Sequence, residues 1–388
     1  MKILIFCPYY PPHIGGLESH ADEFNKYLSL SEVDITVFTP HLPTESTEEE
    51  IRYKGVRIIR FPAFEIIPNY PLPKFWKIKF WKLFKDLLKQ RPDFVVSRTR
   101  FFNTSLLALF YAKFKRINWL HIEHGSDFVK LNSRFKSALA KVYDYIFGRL
   151  VIWSSDKIVA NSEASAEFCR KLVKGLDCDV IYRGVEIEKI ENSQPALEIK
   201  KRYPDDTIIT FAGRLIDGKG VDDLIRAAKD IKENYRIFIV GDGPQRKNLE
   251  KLVNETEMND RIVFFGHKNF EETMGILKIS DIFVNPSYTE GLPTVVIEAG
   301  LCAKAIIATD VGGTREIIED GKSGILIQQK NIDSLKDRIE FLIKNPEIRL
   351  RLGENAYKEI KNKFDWIISI NKYLKIFKIL CSQKTSDI

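Results

Sequence analysis

Short apolar runs alternate with amphipathic helical stretches along almost the whole chain. Strand candidates lie at 2–7, 34–39, 56–61, 94–97, 119–123, 157–160 and 179–182. Helical patterns fall between them, around 17–30, 74–90, 103–115, 133–153 and 163–174. A strand, a helix and a further strand close into a parallel sheet with helices over its faces, so this alternation predicts an α/β, doubly wound fold. Polar residues crowd 186–206, a stretch holding Pro195 and Pro204. A second series follows, with strands at 207–212, 236–240, 262–265, 282–285, 305–309 and 324–327. Helices begin at Val221, Gln245, Glu271 and Pro293, and two more cover 332–344 and 347–362. At 388 residues the chain exceeds one ordinary domain. The division expected is a first domain over 1–190, a linker over 191–206 and a second domain over 207–365. A last amphipathic helix, about 366–380, has to pack beyond the second sheet, and the tail 381–388 reads as disordered.

Composition removes several classes. The apolar fraction of 44% suffices for two cores, but no run of 18 apolar residues could span a membrane. The N-terminal strand is too short for a signal peptide and is stopped by Tyr9-Tyr10-Pro11-Pro12. Five cysteines without a CxxC pair suggest a reducing cytoplasm and no zinc site. No acidic metal-binding constellation is evident, so no metal and no cofactor is expected. The first loop is not a GxGxxG fingerprint, and the second strand runs into Phe38-Thr39-Pro40 without an acid, which argues against a nicotinamide site.

Ligands of open α/β sheets bind outside the carboxyl ends of the strands. The chemically suggestive residues sit on such loops. In Glu290-Gly291-Leu292-Pro293-Thr294-Val295-Val296-Ile297-Glu298, Pro293 suits a first helical position. Glu290 then lies on the loop, and Glu298 about a turn and a half inside the helix. The helix N-terminus between them suits a phosphate, and eight residues at helical rise span roughly 12 Å. A nucleotide sugar has that layout, with hydroxyl-bearing groups on either side of a diphosphate. Gly213-Arg214-Leu215-Ile216-Asp217-Gly218-Lys219-Gly220 forms a candidate phosphate cradle, with solvated loop charges as the plainer reading. Gly15-Gly16 lets backbone approach an anion, or is a simple turn. His124-Gly125-Ser126-Asp127 follows a strand end; His124 is as easily a core residue, and Asp127 as easily a cap. His267, in Gly266-His267-Lys268, walls a base pocket or merely turns the chain.

Taken in order, these pieces resemble the retaining glycosyltransferases of the GT-B group, family four. The matching segments are Gly15-Gly16-Leu17-Glu18, His124-Gly125-Ser126-Asp127, Gly213-Arg214 with Lys219-Gly220, Val240-Gly241-Asp242-Gly243-Pro244, Val311-Gly312-Gly313, and Glu290-Gly291-Leu292-Pro293 with Glu298-Ala299. The resemblance implies two Rossmann-like domains facing across a cleft, with the last helix crossing back to the first. It implies that Glu298 holds the ribose hydroxyls and Glu290 contacts the donor sugar. Backbone at Gly291, Leu292 and Pro293 helps hold sugar and phosphates, and Arg214 and Lys219 neutralise the leaving diphosphate. Gly15 and Gly16 admit that diphosphate, and His267 belongs to the donor side. His124, Ser126 and Asp127 lie on the acceptor side. Of these, His124, Glu290, Arg214 and Lys219 carry the catalysis, by a front-face route in which the leaving phosphate takes the acceptor's proton. Two departures are visible. The usual Ala-Met-Ala-Cys-Gly-Lys-Pro reads Ala299-Gly300-Leu301-Cys302-Ala303-Lys304-Ala305, which alters a turn. Arg183-Gly184-Val185-Glu186 replaces the usual Asn-Gly-Val-Asp.

The excess positive charge is uneven. Lys74, Lys77, Lys79, Lys82, Lys85, Lys89 and Arg91 stand against Asp86 alone, in a chain of net +7. On a helix, Trp76, Phe80, Leu83, Phe84, Leu87 and Leu88 share one face and the lysines the other. Packing on the first sheet explains the apolar face. The lysines and two tryptophans also suit anionic headgroups, through Lys74, Trp76, Lys77, Trp81, Lys82 and Lys85. Nucleic acid is a poorer partner, because no recognition motif accompanies the charge. The expected function is transfer of a sugar from a UDP- or GDP-sugar to a saccharide acceptor, lipid-linked, for a cell-surface polysaccharide or glycolipid. The expected place is cytoplasmic, peripheral on the inner membrane face. The alternatives are a nucleotide-sugar epimerase, a phosphorylase of the same fold, or a non-catalytic saccharide- or nucleotide-binding protein.

Overall fold

A computed structural model describes residues 1–13, 15–67, 70–129 and 133–382. The chain divides into two compact units, Met1–Gly184 with Trp366–Ile388, and Val185–Asp365.

In the first unit the order is β1 (Lys2–Phe6), α1 (Gly16–Ser29), β2 (Asp34–Pro40), β3 (Glu49–Arg52), β4 (Val56–Phe61), β5 (Ala63–Ile67), β6 (Tyr70–Pro73), α2 (Ile78–Lys89), β7 (Phe94–Arg98), α3 (Asn103–Lys115), β8 (Trp119–Glu123), α4 (Arg134–Tyr143), a π-turn (Asp144–Gly148), α5 (Arg149–Ser154), β9 (Lys157–Ala160), α6 (Glu163–Leu172) and β10 (Asp179–Val180). Among the described residues the sheet runs β10-β9-β8-β7-β1-β2-β4-β3, parallel except where β3 pairs antiparallel with β4. Strands β7 and β8 are buried at every position, because helices cover both faces. Two features were not expected from the sequence: the edge strand β3 and the β5–β6 hairpin. Both are short, and Pro71 and Pro73 mask the strand signal in β6.

The second unit contains α7 (Ile187–Asn192), α8 (Leu197–Lys200), β11 (Thr207–Ala212), α9 (Val221–Ala228), β12 (Tyr235–Val240), α10 (Arg246–Glu255), β13 (Ile262–Gly266), α11 (Phe270–Ile279), β14 (Ile282–Asn285), α12 (Thr294–Leu301), β15 (Ala305–Thr309), β16 (Ile325–Ile327), α13 (Ile332–Lys344) and α14 (Pro346–Lys361). Its sheet, β13-β12-β11-β14-β15-β16, is parallel throughout. Local chemistry starts the helices. Asn269 and Glu272 form a capping box at α11, Asn331 accepts from the Ser334 N–H at α13, and Pro346 opens α14. The boundary falls at Gly184 and not at 190, and residues 191–206 are no loose linker: α7 runs into this stretch and α8 lies within it, with the Ala196 N–H donating to Gly275 O at 2.9 Å.

The last helix, α15 (Trp366–Ser382), belongs to the first unit. Its buried stripe, Trp366, Ile370, Tyr373, Phe377 and Leu380, has the helical period. Tyr373 meets Phe24 of α1 at 4.9 Å between ring centroids, and Phe377 meets Phe94 of β7 at 4.5 Å. A Cβ on Gly184 would fall 2.3 Å from the Trp366 Cα, so glycine is what lets the chain pass there. Cys381 and Ser382 close this helix; the remainder of the expected disordered tail, 383–388, lies outside the described residues.

The lysine-rich stretch also differs in part from expectation. Phe80, Phe84 and Leu87 are buried as predicted, but the helix starts only at Ile78. Trp76 precedes it and stands out, 65% exposed, instead of sharing the buried face. No helix among the described residues is long and apolar enough to cross a membrane.

The turn after α12 carries a testable strain. Ala303 has φ 55°, the left-handed region, at the position where the related pattern has glycine. That conformation costs an alanine about 1–2 kcal/mol, against about 0.5–1 kcal/mol of extra glycine freedom in the unfolded chain. Ala303→Gly is therefore expected to stabilise the protein by about 0.5–1 kcal/mol, read as a higher denaturant midpoint.

Candidate active site

In the second unit the loops leaving β11, β12, β14 and β15 lie side by side at the carboxyl edge of the sheet. Backbone contacts hold them there. The Leu215 N–H donates to Asp242 O at 2.9 Å, the Tyr288 N–H to Gly218 O at 2.7 Å, and the Gly313 N–H to Gly291 O at 2.7 Å. Two glycines make this approach possible. Gly220 (φ +65°) would place a Cβ 2.1 Å from Pro286 O, and Gly312 (φ +54°) would place one 1.8 Å from Glu290 O. Any side chain at either position would push the loops apart.

This packing brings two expected site residues into contact. Lys219 Nζ lies 2.6 Å from Glu290 Oε1, on side chains that are only partly exposed. Gly291, Leu292 and Pro293 lead from Glu290 into α12. Pro293 sits just before the helix, which begins at Thr294 without a side-chain cap. Glu298 follows on the second turn and is half-buried. A cation from the β11 loop thus meets a carboxylate that a short loop joins to a helix N-terminus. Arg214 is exposed on the β11 loop, and His267 is exposed on the β13 loop, which the Gly241 N–H holds by donating to Gly266 O at 2.8 Å.

The remaining expected residues form a separate cluster in the first unit. Gly15 caps α1, and a Cβ there would fall 2.3 Å from Glu18 Oε2; the other oxygen of that carboxylate, Oε1, lies 2.6 Å from His13 Nδ1. Gly16 opens α1, is exposed, and has open space where a side chain would be. Ser126 is half-buried, and the Asp127 carboxylate accepts from the Phe128 N–H at 2.8 Å. Asp127 therefore supports its own loop, the plainer of its two readings.

His124 rests on a buried charge network that sequence reasoning did not assign. Glu123 Oε1 accepts from the His124 N–H at 2.9 Å and the Gly125 N–H at 2.7 Å. Arg100 lies 3.1 Å from Glu123 and 3.1 Å from Asp144, and also donates to Asp127 O at 3.0 Å. His121 Nε2 is 3.3 Å from the other Glu123 oxygen, and its Nδ1 meets Ser97 Oγ at 2.8 Å. Gly125 makes the clamp possible, since a Cβ there would sit 2.9 Å from Arg100 Nη1. Burial opposes the charge on Glu123, but Arg100, His121 and the Gly125 N–H hold its carboxyl well below the usual range. The visible signal was two ionisable residues, His121 and Glu123, in an otherwise apolar central strand, where they require partners.

The His124 ring packs edge-on to His20 at 4.6 Å, and its Nε2 is buried without a hydrogen-bond partner among the described residues. Burial, with the nearby Arg98 cation, lowers its pKa to about 3 despite Glu123. His20 is lowered as well, by burial, His124 and Arg98. Both rings are neutral at pH 7. Arg183, which replaces the usual Asn, reaches the start of α1: it donates to Gly16 O at 3.4 Å and pairs with Glu23 at 3.1 Å.

Two outcomes follow from these charges. Between about pH 3 and 6.5 the unfolded chain binds protons that folded His124 refuses, so stability falls as pH drops below 6.5. The slope is up to about 1.4 kcal/mol per pH unit per histidine, and His124→Asn should flatten it in denaturant titrations between pH 5 and 7. Glu123→Gln leaves Arg100 short of a buried countercharge. It should cost on the order of 3–5 kcal/mol, read as a lower denaturant midpoint.

The sequence and fold have known counterparts. The family described as Glycosyltransferase Family 4 matches residues 14–189, and that described as Glycosyl transferases group 1 matches residues 193–359. An uncharacterized glycosyltransferase of Methanocaldococcus jannaschii is 43% identical over 98% of this chain and 99% of its own. The N,N'-diacetylbacillosaminyl-diphospho-undecaprenol alpha-1,3-N-acetylgalactosaminyltransferase of Campylobacter jejuni is 26% identical over 87% of this chain and 89% of its own. Among solved structures, sucrose-phosphate synthase from Thermosynechococcus elongatus superposes with a TM-score of 0.83 at 20% identity, over 98% of this chain and 99% of its own. Anabaena HepE in complex with UDP-glucose gives 0.74 at 18% identity, over the full length of both chains.

Proposed function

The chain belongs to the group 1 glycosyltransferases of family four, with the GT-B fold, and from that premise we propose a retaining, metal-independent hexosyltransferase that uses a UDP- or GDP-sugar. The observation that carries this reading is the Lys219–Glu290 contact of 2.6 Å at the entry to α12, with Glu298 on the next turn. A hexose joined to a diphosphate carries hydroxyls and anionic oxygens within a few ångströms of each other. A paired carboxylate and ammonium match that combination. Glu290 takes the sugar hydroxyls, while Lys219 and Arg214 take the diphosphate. Glu298 takes the ribose hydroxyls, and His267 borders the base. The acceptor falls to the first unit, with neutral His124 offering a hydrogen bond instead of a charge.

In the reaction the bond from the anomeric carbon to the diphosphate oxygen breaks, and the acceptor oxygen bonds to that carbon on the same face. The acceptor's hydroxyl proton passes to the leaving phosphate. Positive charge from Lys219, Arg214 and the α12 N-terminus stabilises the nucleoside diphosphate as it departs. The acceptor we propose is a lipid-linked saccharide, handled at the cytoplasmic face of a membrane in the synthesis of a surface polysaccharide or glycolipid. The Campylobacter relative, whose name specifies a diphospho-undecaprenol acceptor, supports that class, and HepE with UDP-glucose supports a UDP donor. Lys74, Lys77, Lys82 and Lys85, with exposed Trp76 and Trp81, supply a basic contact to anionic headgroups.

A thermal-shift series over UDP- and GDP-sugars tests the donor side. A ligand at 100 times its Kd stabilises by about 2.7 kcal/mol, and Glu298→Ala should lose that shift. Glu290→Gln should keep the fold but reduce transfer on the order of 100-fold or more. Full transfer by either variant overturns the assignment, and conversion of the donor alone to a different nucleotide sugar points to an epimerase instead.

A further inference from the structure

The helical segment from α4 through α5 carries an apolar stripe turned outward. Phe135, Leu139, Val142, Ile146, Leu150 and Trp153 recur every three or four residues over five turns, the period that ordinarily marks a core-facing stripe. All six are exposed, Phe135 to 72% and Trp153 to 71%. The opposite side is the one that packs: Ala140, Asp144, Gly148, Val151 and Ile152 are buried. The π-turn at Asp144–Gly148 supplies the extra residue that keeps both the stripe and the anchor in register. That anchor is firm. Asp144 pairs with Arg100, and a Cβ on Gly148 would lie 2.9 Å from the Asp144 carboxylate.

Charge on this surface has one sign. The exposed charged side chains between Phe135 and Trp153 are Lys136, Lys141 and Arg149, and the single acid, Asp144, is buried against Arg100. A continuous exposed apolar stripe exceeds the scattered apolar residues of an ordinary surface, and marks a surface that docks onto something. Basic side chains flanking apolar and aromatic ones match anionic headgroups over acyl chains. A second copy of the chain on a two-fold axis would bring the same three cations against one another, which disfavours self-association.

We propose that the outward stripe of the 135–153 segment is a membrane-docking face that enters the headgroup–acyl boundary of an anionic bilayer. The inference rests on the membrane-associated acceptor proposed above and assigns the insertion to a segment other than the lysine-rich α2. The face is mechanically tied to the acceptor side. Arg100 bridges Asp144 of this segment to Glu123 and Asp127 of the His124 loop, and Lys141 lies 5.1 Å over the ring of Phe128, just past that loop. A bilayer held by the stripe therefore lies against the same rigid body that carries His124.

The test is co-sedimentation of the full chain with phosphatidylcholine vesicles, with and without phosphatidylglycerol. Binding to the anionic vesicles is expected, and Ile146→Ser/Leu150→Ser/Trp153→Ser should weaken it at least tenfold. These exposed changes should leave the melting temperature and the donor-induced thermal shift as in the wild type. The tryptophan emission lost in Trp153→Phe should be blue-shifted by vesicles in the wild type. A stripe variant that binds as before, while Lys74→Glu/Lys77→Glu/Lys82→Glu/Lys85→Glu abolishes binding, overturns this inference and leaves the membrane reading intact. Absence of wild-type binding to either vesicle overturns both. A wild-type dimer that the stripe variant converts to a monomer would assign the face to a second copy instead.

Discussion

The side chain of Arg100 is 2% exposed, a position in which an isolated charge would be prohibitively costly. Three oxygens offset that cost, from Glu123, Asp144 and the carbonyl of Asp127. Each belongs to a different part of the first unit: the end of β8, the π-turn between α4 and α5, and the loop after His124. The fork geometry of an arginine is what lets one side chain hold all three. Glu123, fixed in this way, still has lone pairs for the His124 and Gly125 N–H groups. The orientation of the acceptor-side loop thus follows from a charge balance completed one layer beneath it. On this loop burial first, and then the nearby Arg98 cation, lower the pKa of His124 against the pull of Glu123.

The second unit holds its loops chiefly by backbone contacts. Its loops are locked by backbone-to-backbone contacts at Gly220 and Gly312, which bring the turn before α9 against the end of β14 and the turn after β15 against Glu290. The charged groups, Lys219 and Glu290, lie at the rim and satisfy each other. This division suits the two tasks proposed. A donor with several charges needs ionised partners that can exchange one contact for another, whereas a neutral acceptor hydroxyl needs a fixed, uncharged neighbour.

Much of this architecture was legible in the order of apolar runs. β2, β4, β8, β11, β14 and β15 fall within a residue of expectation, because parallel strands covered on both faces read as mostly apolar runs. The Glu290 to Glu298 spacing was legible for a related reason: Gly and Pro mark the end of a strand and the start of a helix whatever lies around them. What stayed hidden depends on contacts between segments far apart in sequence. Nothing near Arg100 indicates that it meets Asp144, and nothing near Gly184 indicates that Trp366 lies against it. The α7–α8 stretch reads as a linker in the sequence because short, polar helices have almost no periodicity to reveal them.

The 135–153 segment shows why periodicity alone does not identify the buried side of a helix. Its apolar stripe has the spacing of a core stripe, and amphipathic reasoning would turn it inward. The opposite side wins because it carries the one group that cannot be left without its partner. Asp144 placed in water would strand Arg100 with one carboxylate fewer, a loss on the order of 3–5 kcal/mol when a buried pair is broken. Gly148 then lets the backbone approach Arg100 closely, since a Cβ there would lie 3.4 Å from Arg100 Cδ. Once the acid fixes the rotation of the helix, the stripe has no core to enter. It faces outward, held there by an ion pair that belongs to the acceptor-side loop.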